Sequence, residues 1–208
     1  MRTLSEYDSK RLLADYGLPV CREILATDLE MAHEAANEIG YPVVVKGCAP
    51  GLAHKTERGL VEMGVGDADQ LDAAAARMLQ EVSQVLVQET VTGGRELMLG
   101  MKRDPQFGPC VSFGLGGVLS EALDDVALGL VPISEAEAQA MLDAIRAKEV
   151  LGPYRGMEPV DRDVLVRAII GLGRAALEHP EIVEIDVNPL IVSEGRPVAV
   201  DALVVLKS

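Results

Sequence analysis

Polar side chains recur at every second residue near the C-terminus. Glu184, Asp186 and Asn188 are spaced by two, and Ile185 and Val187 lie between them. If this run is a β-strand, the three polar side chains point to one face and the two apolar ones into the core. Carboxylate and amide oxygens are hard ligands, which Mg²⁺ accepts while it keeps several waters and takes other ligands from phosphate. The spacing therefore predicts a candidate Mg²⁺ site.

A second apolar run, residues 198–202, follows a turn-forming segment that contains Gly195 and Pro197. The two runs are therefore predicted to form a hairpin. Asp201 lies on the returning strand and is expected to come level with the polar face. The alternative, from this stretch alone, is an edge hairpin with a solvated acidic face.

Composition and charge exclude several classes of function. The 208 residues, 49% hydrophobic and 25% charged, suffice for one large domain or two small ones. The net charge of −14 argues against binding to nucleic acid or to an anionic membrane. Cys21, Cys48 and Cys110 fall in no metal-ligand pattern, which is typical of reduced thiols. Apolar runs are too short to span a membrane and the N-terminus lacks a signal core, so the cytoplasm is predicted.

The first 90 residues alternate between short strands and helices, which is typical of an α/β layer. A capping box at 27–30 predicts a helix that ends at Gly40. Strands are predicted over residues 19–26, 42–46, 60–65 and 85–88, and an Ala-rich helix over residues 68–82.

Beyond Thr90 the pattern changes to longer strands and glycine-rich turns. Strands are predicted over residues 95–102 and 109–113, followed by a glycine-rich turn and a short helix over 113–121. Ser134 and Asp161 are predicted to cap two later helices. The fold class is therefore predicted as α/β (α+β).

Three further features could act on phosphate. Lys46 ends an apolar strand and could place a point charge on phosphate, although a solvated strand end is the commoner explanation. Gly116 and Gly117 could let backbone N–H groups approach an anion, and hairpins use glycine equally well. His54, on the loop after Lys46, could carry a proton or a phosphoryl group, or be only a polar surface residue.

Together these segments resemble a known family over essentially the whole chain. The matching motifs are EYDSK at 6–10, YGLPV at 16–20, GYPVVVK at 40–46, HKTE at 54–57, VQE at 87–89, GRE at 94–96, RDPQFGP at 103–109, FGLGG at 113–117 and EIDVNPL at 184–190. They are similar to the beta subunit of ADP-forming acyl-CoA (acetyl-CoA) synthetases, the ATP-grasp domain of the NDP-forming acyl-CoA synthetase superfamily.

The resemblance implies an ATP-grasp fold in which two subdomains clamp a nucleotide. The smaller would be residues 21–90, and the larger residues 1–20 plus 91–208.

The resemblance also assigns roles to single residues. Lys46 would hold phosphate, and Glu96 would bind near the ribose. Gln88, Glu89 and Val91 would form the hinge that reads adenine.

The predicted metal site agrees with this resemblance. Asn188 and Asp201 match the Mg²⁺ ligands of the family, and Asp186 lies beside them. The implied cofactors are Mg²⁺ and ATP or ADP.

The implied reaction is acyl-CoA + ADP + phosphate ⇌ acid + CoA + ATP, through a phosphohistidine. His54 matches a second, relay histidine that some members use. The family often has Ala-Gly-Gly-Val after the acidic residue of this motif, whereas Arg58, Gly59 and Leu60 stand here before Val61, and Leu60 is expected to stiffen the loop.

The chain contains no CoA-binding half. The resemblance therefore implies an acid–thiol ligase that is active only with a CoA-binding alpha subunit, as αβ or α₂β₂. Two alternatives are an ATP-grasp module of a protein-acetyltransferase system and a free-standing ATP-grasp carboxylate ligase. The acyl group, and the choice between ADP and GDP, stay open.

Overall fold

The chain forms eleven strands and five α-helices within the described residues. The structure is a computed structural model that describes residues 1–52, 55–117 and 125–207. Its strands are β1 (Arg2–Thr3), β2 (Glu23–Ala26), β3 (Val43–Cys48), β4 (Val61–Val65), β5 (Gln84–Glu89), β6 (Arg95–Asp104), β7 (Gly108–Leu115), β8 (Val126–Leu130), β9 (Ile182–Ser193), β10 (Arg196–Ala199) and β11 (Leu203–Leu206). Its α-helices are α1 (Glu6–Ala14), α2 (Leu29–Ile39), α3 (Ala68–Leu79), α4 (Glu135–Ala144) and α5 (Arg162–Glu178), and a 3₁₀ helix covers Lys148–Leu151.

The chain divides into two units. The larger comprises Met1–Arg2, Asp8–Val20 and Val91–Ser208, and the smaller comprises Thr3–Tyr7 and Cys21–Thr90. Residues 3–7, which the sequence analysis assigned to the larger part, group with the smaller unit. The strand predicted over residues 19–26 is correspondingly shorter. Val20 forms an isolated bridge with Ala199 in the larger unit, and β2 begins only at Glu23.

A sheet of seven described strands forms the larger unit. Its order is β1-β11-β9-β6-β7-β8, and β10 also pairs with β9. The predicted hairpin is confirmed, with Arg196 opposite Ser193. β11 was not predicted, because its Leu-Val-Val-Leu sequence lacks polar alternation. The short helix predicted at the end of residues 113–121 falls in the 118–124 gap, outside the described residues.

Helix α5 covers one face of this sheet, where it packs on β6 and β7. Asp161 caps it by accepting the Val164 N–H, as predicted. Ser134 and Glu137 form both halves of the predicted capping box of α4. Within the described residues, no helix is both long enough and apolar enough to cross a membrane.

The smaller unit has a four-stranded sheet in the order β2-β5-β3-β4, as far as the described residues extend. Helices α2 and α3 pack on it, and Asp28 and Asp67 cap them through side-chain oxygens. The capping box predicted at 27–30 is therefore wrong, because the cap is Asp28, which accepts the Met31 N–H, and not Thr27. The buried side chains are mainly Ala and Val with Leu71 and Met78, so the core is built from small residues. This sheet with its two helices confirms the predicted α/β class.

Helix α5 approaches the end of helix α1 at a glycine. A Cβ at Gly171 would overlap the carbonyl oxygen of Tyr16, which is backbone and cannot swing away. We therefore expect Gly171→Ala to lower the free energy of unfolding by about 1–3 kcal/mol, as overpacking does. Urea unfolding measures the change.

Gly173→Ala is the matched control in the same helix. A Cβ there would meet only Val131 side-chain atoms at 3.4 Å, which is an ordinary contact. Alanine also favours helix over glycine by about 0.5–1 kcal/mol, so this variant should be neutral or stabilised. Equal losses in the two variants would contradict the packing argument.

Candidate functional site

Strand β9 carries one buried and one open face. Ile185 and Val187 are buried, whereas Glu184 and Asp186 are exposed on the opposite face. Gly100 of β6 and Leu203 of β11 lie opposite Asp186 on the two neighbouring strands. The alternation predicted from the sequence is confirmed for residues 184–187, and it gives the larger unit an acidic strip across the middle of its sheet. It does not extend through Asn188, which is half-buried, because the register of β9 with β6 shifts between Val187 and Leu190.

Asp201 reaches this strip from a bend rather than from a strand. The returning strand β10 ends at Ala199, so the prediction that Asp201 lies on a strand is wrong. β10 pairs with residues 190–193 of β9, and β11 pairs with residues 182–186. The bend between them lies beside the middle of β9, where the Val200 N–H donates to the Pro189 carbonyl at 3.3 Å. Asp201 is thereby held level with Asn188.

The glycine-rich turn after β7 packs against the same strip. The Gly117 N–H donates to Asn188 Oδ1 at 3.2 Å, and the Gly116 N–H donates to the Glu96 carbonyl at 2.8 Å. The sequence predicted that these N–H groups bind an anion, whereas in the structure they donate to Asn188 and to the Glu96 carbonyl. Glu96, Gly116, Gly117 and Asn188 are thus brought together in the larger unit.

These glycines are required by close approach. A Cβ at Gly116 would overlap the Leu97 carbonyl and lie 3.1 Å from Asn188 Oδ1. Gly117 has φ +76°, a left-handed conformation that L side chains rarely adopt, and a Cβ there would overlap the Glu96 carboxylate. Larger residues would therefore displace the Leu97 carbonyl and the side chains of Glu96 and Asn188.

The Asp186 carboxyl is electrostatically unfavourable in its ionised form. Desolvation by the surrounding protein raises its pKa, and the neighbouring carboxylates of Asp201 and Glu184 raise it further. A cation bound at the strip would remove this repulsion. Two carboxylates and an amide oxygen suit a hard cation such as Mg²⁺, which takes one or two carboxylates plus phosphate oxygens.

Within residues 1–52, 55–117 and 125–207, no group of three or more His, Cys, Asp or Glu side chains could hold a metal ion. The candidate set at the strip, Asp186, Asp201 and Asn188, is not such a group, because its third member is an amide.

Lys46 occupies a different position from the one predicted. Strand β3 continues to Cys48, so Lys46 is a strand residue, only 6% exposed, rather than a solvated strand end. Its Nζ lies 2.8 Å from Glu6 Oε1, and Lys55 contacts the other oxygen of the same carboxylate. Sequence reasoning missed the pairing of Glu6 with Lys46, because a glutamate in the first turn of a helix is typical of a helix start.

The predicted hinge residues lie at the end of β5 and directly beyond it. Gln88 is 2% exposed and pairs with Val44 of β3. Glu89 ends the strand, and its side chain accepts the Arg22 N–H at 2.8 Å. Val91 is half-buried and is the first residue of the long segment of the larger unit.

His54 lies outside the described residues, as does Ala53. The end of the loop is described: the Leu60 N–H donates to the Lys55 carbonyl at 2.8 Å. Leu60 itself is 1% exposed and belongs to the core of the smaller unit. Leu60, which stands where the family often has glycine, is therefore a core residue.

Comparison with known proteins identifies the class of the chain. The family model described as "ATP-grasp domain" matches residues 1–206. Subunit beta of acetate–CoA ligase (ADP-forming) I from Pyrococcus furiosus is 38% identical, over 99% of this chain and 92% of that protein. Subunit beta of isoform II from the same organism is 36% identical, over 97% of this chain and 91% of that protein. The chain belongs to the ATP-grasp family.

Longer relatives and solved structures give the same result. Acetate–CoA ligase (ADP-forming) I from Archaeoglobus fulgidus is 39% identical over 94% of this chain, which spans only 30% of that protein. The dinucleotide-forming acetyl-coenzyme A synthetase 1 of Ca. Korarchaeum cryptofilum, solved with coenzyme A and Ca-AMPCP, superposes with a TM-score of 0.92. It is 37% identical, over 99% of this chain and 94% of that one. Within the ATP-grasp family, the chain belongs to the beta subunits of ADP-forming acyl-CoA ligases, as the sequence motifs predicted.

The raised pKa of Asp186 makes a stability prediction for the metal-free protein. A carboxyl with a raised pKa binds its proton more tightly in the folded chain, so its ionised form costs stability at neutral pH and the cost fades as the pH falls. We expect Asp186→Asn to raise Tm in EDTA at pH 7, on the order of 1 °C because the group is exposed.

The gain should shrink towards acidic pH, where wild-type Asp186 also becomes neutral. Differential scanning fluorimetry from pH 7 to acid measures it, with Glu34→Gln on helix α2 as an exposed carboxylate control. A gain that grows as the pH falls would contradict the assignment.

Proposed function

We propose that this chain is the nucleotide-binding subunit of a two-chain acid–CoA ligase, and that it exchanges a phosphoryl group between a phosphohistidine and ADP. The observation that carries the proposal is the convergence of Glu96, Gly117 and Asn188 beside Asp186 and Asp201. The K. cryptofilum relative supports it, because one of its structures contains Mg-AMPPCP and a phosphohistidine segment that points towards the nucleotide-binding site.

Both units carry residues that the proposal assigns to nucleotide binding. In the larger unit, the exposed Glu96 carboxylate would accept hydrogen bonds from ribose hydroxyls, and Gly116 and Gly117 would hold it beside Asn188. In the smaller unit, Lys46 would hold phosphate. Gln88 and Glu89, with Val91, would form the hinge that reads adenine through backbone groups, although the Glu89 N–H already donates to the Arg22 carbonyl at 2.9 Å.

Asn188, Asp201 and Asp186 would hold Mg²⁺. When bound, the ion would neutralise phosphate charge during transfer. The three side chains supply hard oxygen ligands, and the repulsion between the two carboxylates is the property that a cation relieves.

The proposed step transfers a phosphoryl group and changes no oxidation state. The P–N bond of the phosphohistidine breaks, and a terminal oxygen of ADP forms the new P–O bond. The electron pair of the broken bond stays on the imidazole nitrogen, which then takes a proton from solvent. Lys46 would stabilise the charge on the transferred group. His54 is proposed as a relay that carries the phosphoryl group between the partner's histidine and ADP.

A partner subunit follows from the names of the relatives, which are beta subunits. We propose that it binds CoA and the acid and that the assembly is αβ or α₂β₂. The exposed apolar side chains of Phe107, Leu128 and Leu130 support an apolar contact with another chain. We also propose a cytoplasmic location, which the free thiols of Cys21 and Cys48 support.

Nucleotide binding is tested by calorimetric titration of the chain with ADP and ATP, with and without Mg²⁺. We expect Mg²⁺-dependent binding with Kd on the order of micromolar, as for many nucleotide sites. Asn188→Ala/Asp201→Ala should lose the Mg²⁺ dependence, because the two oxygen ligands are gone. The same Kd in the double variant, or no binding by the folded wild-type chain, would contradict the proposed site.

The relay is tested with His54→Ala in the complex with the CoA-binding partner. Turnover should fall by at least about 100-fold, since a group that acts covalently is removed, while the Kd for ATP stays unchanged. His33→Ala is the matched control, because that ring is paired with Asp72 at 2.8 Å on helices α2 and α3. Unchanged turnover in His54→Ala would remove the relay.

A further inference from the structure

Glu6 is a buried carboxylate with two lysine partners. Its side chain is 3% exposed. Oε1 lies 2.8 Å from Lys46 Nζ, and Oε2 contacts Lys55 Nζ, so each oxygen holds one ammonium group. The two lysine side chains are themselves only 7% and 14% exposed. An ion cluster this deeply buried is distinct from the surface ion pairs of the same unit.

The cluster ties three separate segments of the smaller unit together. Glu6 belongs to residues 3–7, Lys46 is a residue of strand β3, and Lys55 lies on the loop that returns to Leu60. A second contact joins the first two segments at Cys48. Burial raises the pKa of that thiol, and hydrogen bonds with the Tyr7 backbone and the Ser5 side chain partly offset the rise. The N-terminal segment is therefore fixed against the end of β3.

A lysine needs such an anchor if it is to act at a defined point. Its ammonium is a point charge on a flexible four-carbon stem, and Coulomb attraction to phosphate alone does not fix where that stem places it. A buried carboxylate selects one position for the ammonium and removes the freedom that binding would otherwise have to restrict. An ammonium carries three N–H donors, and its bond to one carboxylate oxygen uses one of them.

We propose that Glu6 is the positioning residue of the phosphate site: its carboxylate holds the Lys46 ammonium, together with that of Lys55, where the terminal phosphates of the nucleotide bind. This inference rests on the proposed function, since it takes Lys46 to contact phosphate. It adds a residue from helix α1 that touches neither nucleotide nor metal.

The Kd for AMP divided by the Kd for ATP tests the inference. This ratio measures what the β- and γ-phosphates add to binding, and a loss of folded protein affects both Kd values alike. We expect Glu6→Gln to lower the ratio about tenfold, as loss of one well-placed charge-assisted contact does, and Lys46→Met to lower it as much. Because Glu6 acts through Lys46, adding Glu6→Gln to Lys46→Met should lower the ratio no further.

Two controls separate positioning from folding. Glu62→Gln removes the carboxylate of an ion pair with Arg77, 2.9 Å long and about half exposed, in the same unit, and should leave the ratio unchanged. Circular dichroism and Tm establish that each variant is folded. If Glu6→Gln does not fold, Glu6→Asp, which keeps the charge and shortens its reach, should lower the ratio by a smaller factor.

Several results would overturn the inference. One is a ratio in folded Glu6→Gln that equals the wild-type ratio while Lys46→Met lowers it. Another is an increase, which would mean that Glu6 competes with phosphate for Lys46. A further independent loss in the double variant would show that Glu6 acts elsewhere. Failure of the folded wild-type chain to bind ATP at all would instead refute the proposed function.

Discussion

The two-residue period of strand β9 is the constraint on which the larger unit depends. Ile185 and Val187 must enter the core, and this fixes the strand's register between β6 on one side and β10 and β11 on the other. A slip of one residue would turn the strand over, so the core holds Glu184 and Asp186 on the open face. Hydrophobic burial thus determines where these two carboxylates lie.

Close backbone approach then turns this polar face into a site. Gly116 and Gly117 lie where Cβ atoms would strike the Leu97 carbonyl and the Glu96 carboxylate. Their N–H groups hold Glu96 and Asn188 through hydrogen bonds. The candidate site is therefore preorganised by hydrogen bonds from backbone N–H groups.

The charges of the proposed site residues are handled differently in the two units. In the larger unit, burial and the carboxylates of Asp201 and Glu184 raise the pKa of Asp186. A bound cation would offset this repulsion. In the smaller unit, Lys46 is buried and matched with the Glu6 carboxylate, because an unpaired buried ammonium would be too costly.

The sequence by itself determined the features that rest on local rules: the α4 and α5 caps, the β9–β10 hairpin, and the alternation that exposes Asp186. Its motifs also determined the family, since their order along the chain is specific. Only the tertiary structure decided the placement of Asp201 in a bend and the pairing of Lys46 with Glu6. The physical reason is range: caps and alternation act within a few residues, whereas the contact between Glu6 and Lys46 joins residues 40 positions apart and leaves no periodic signal.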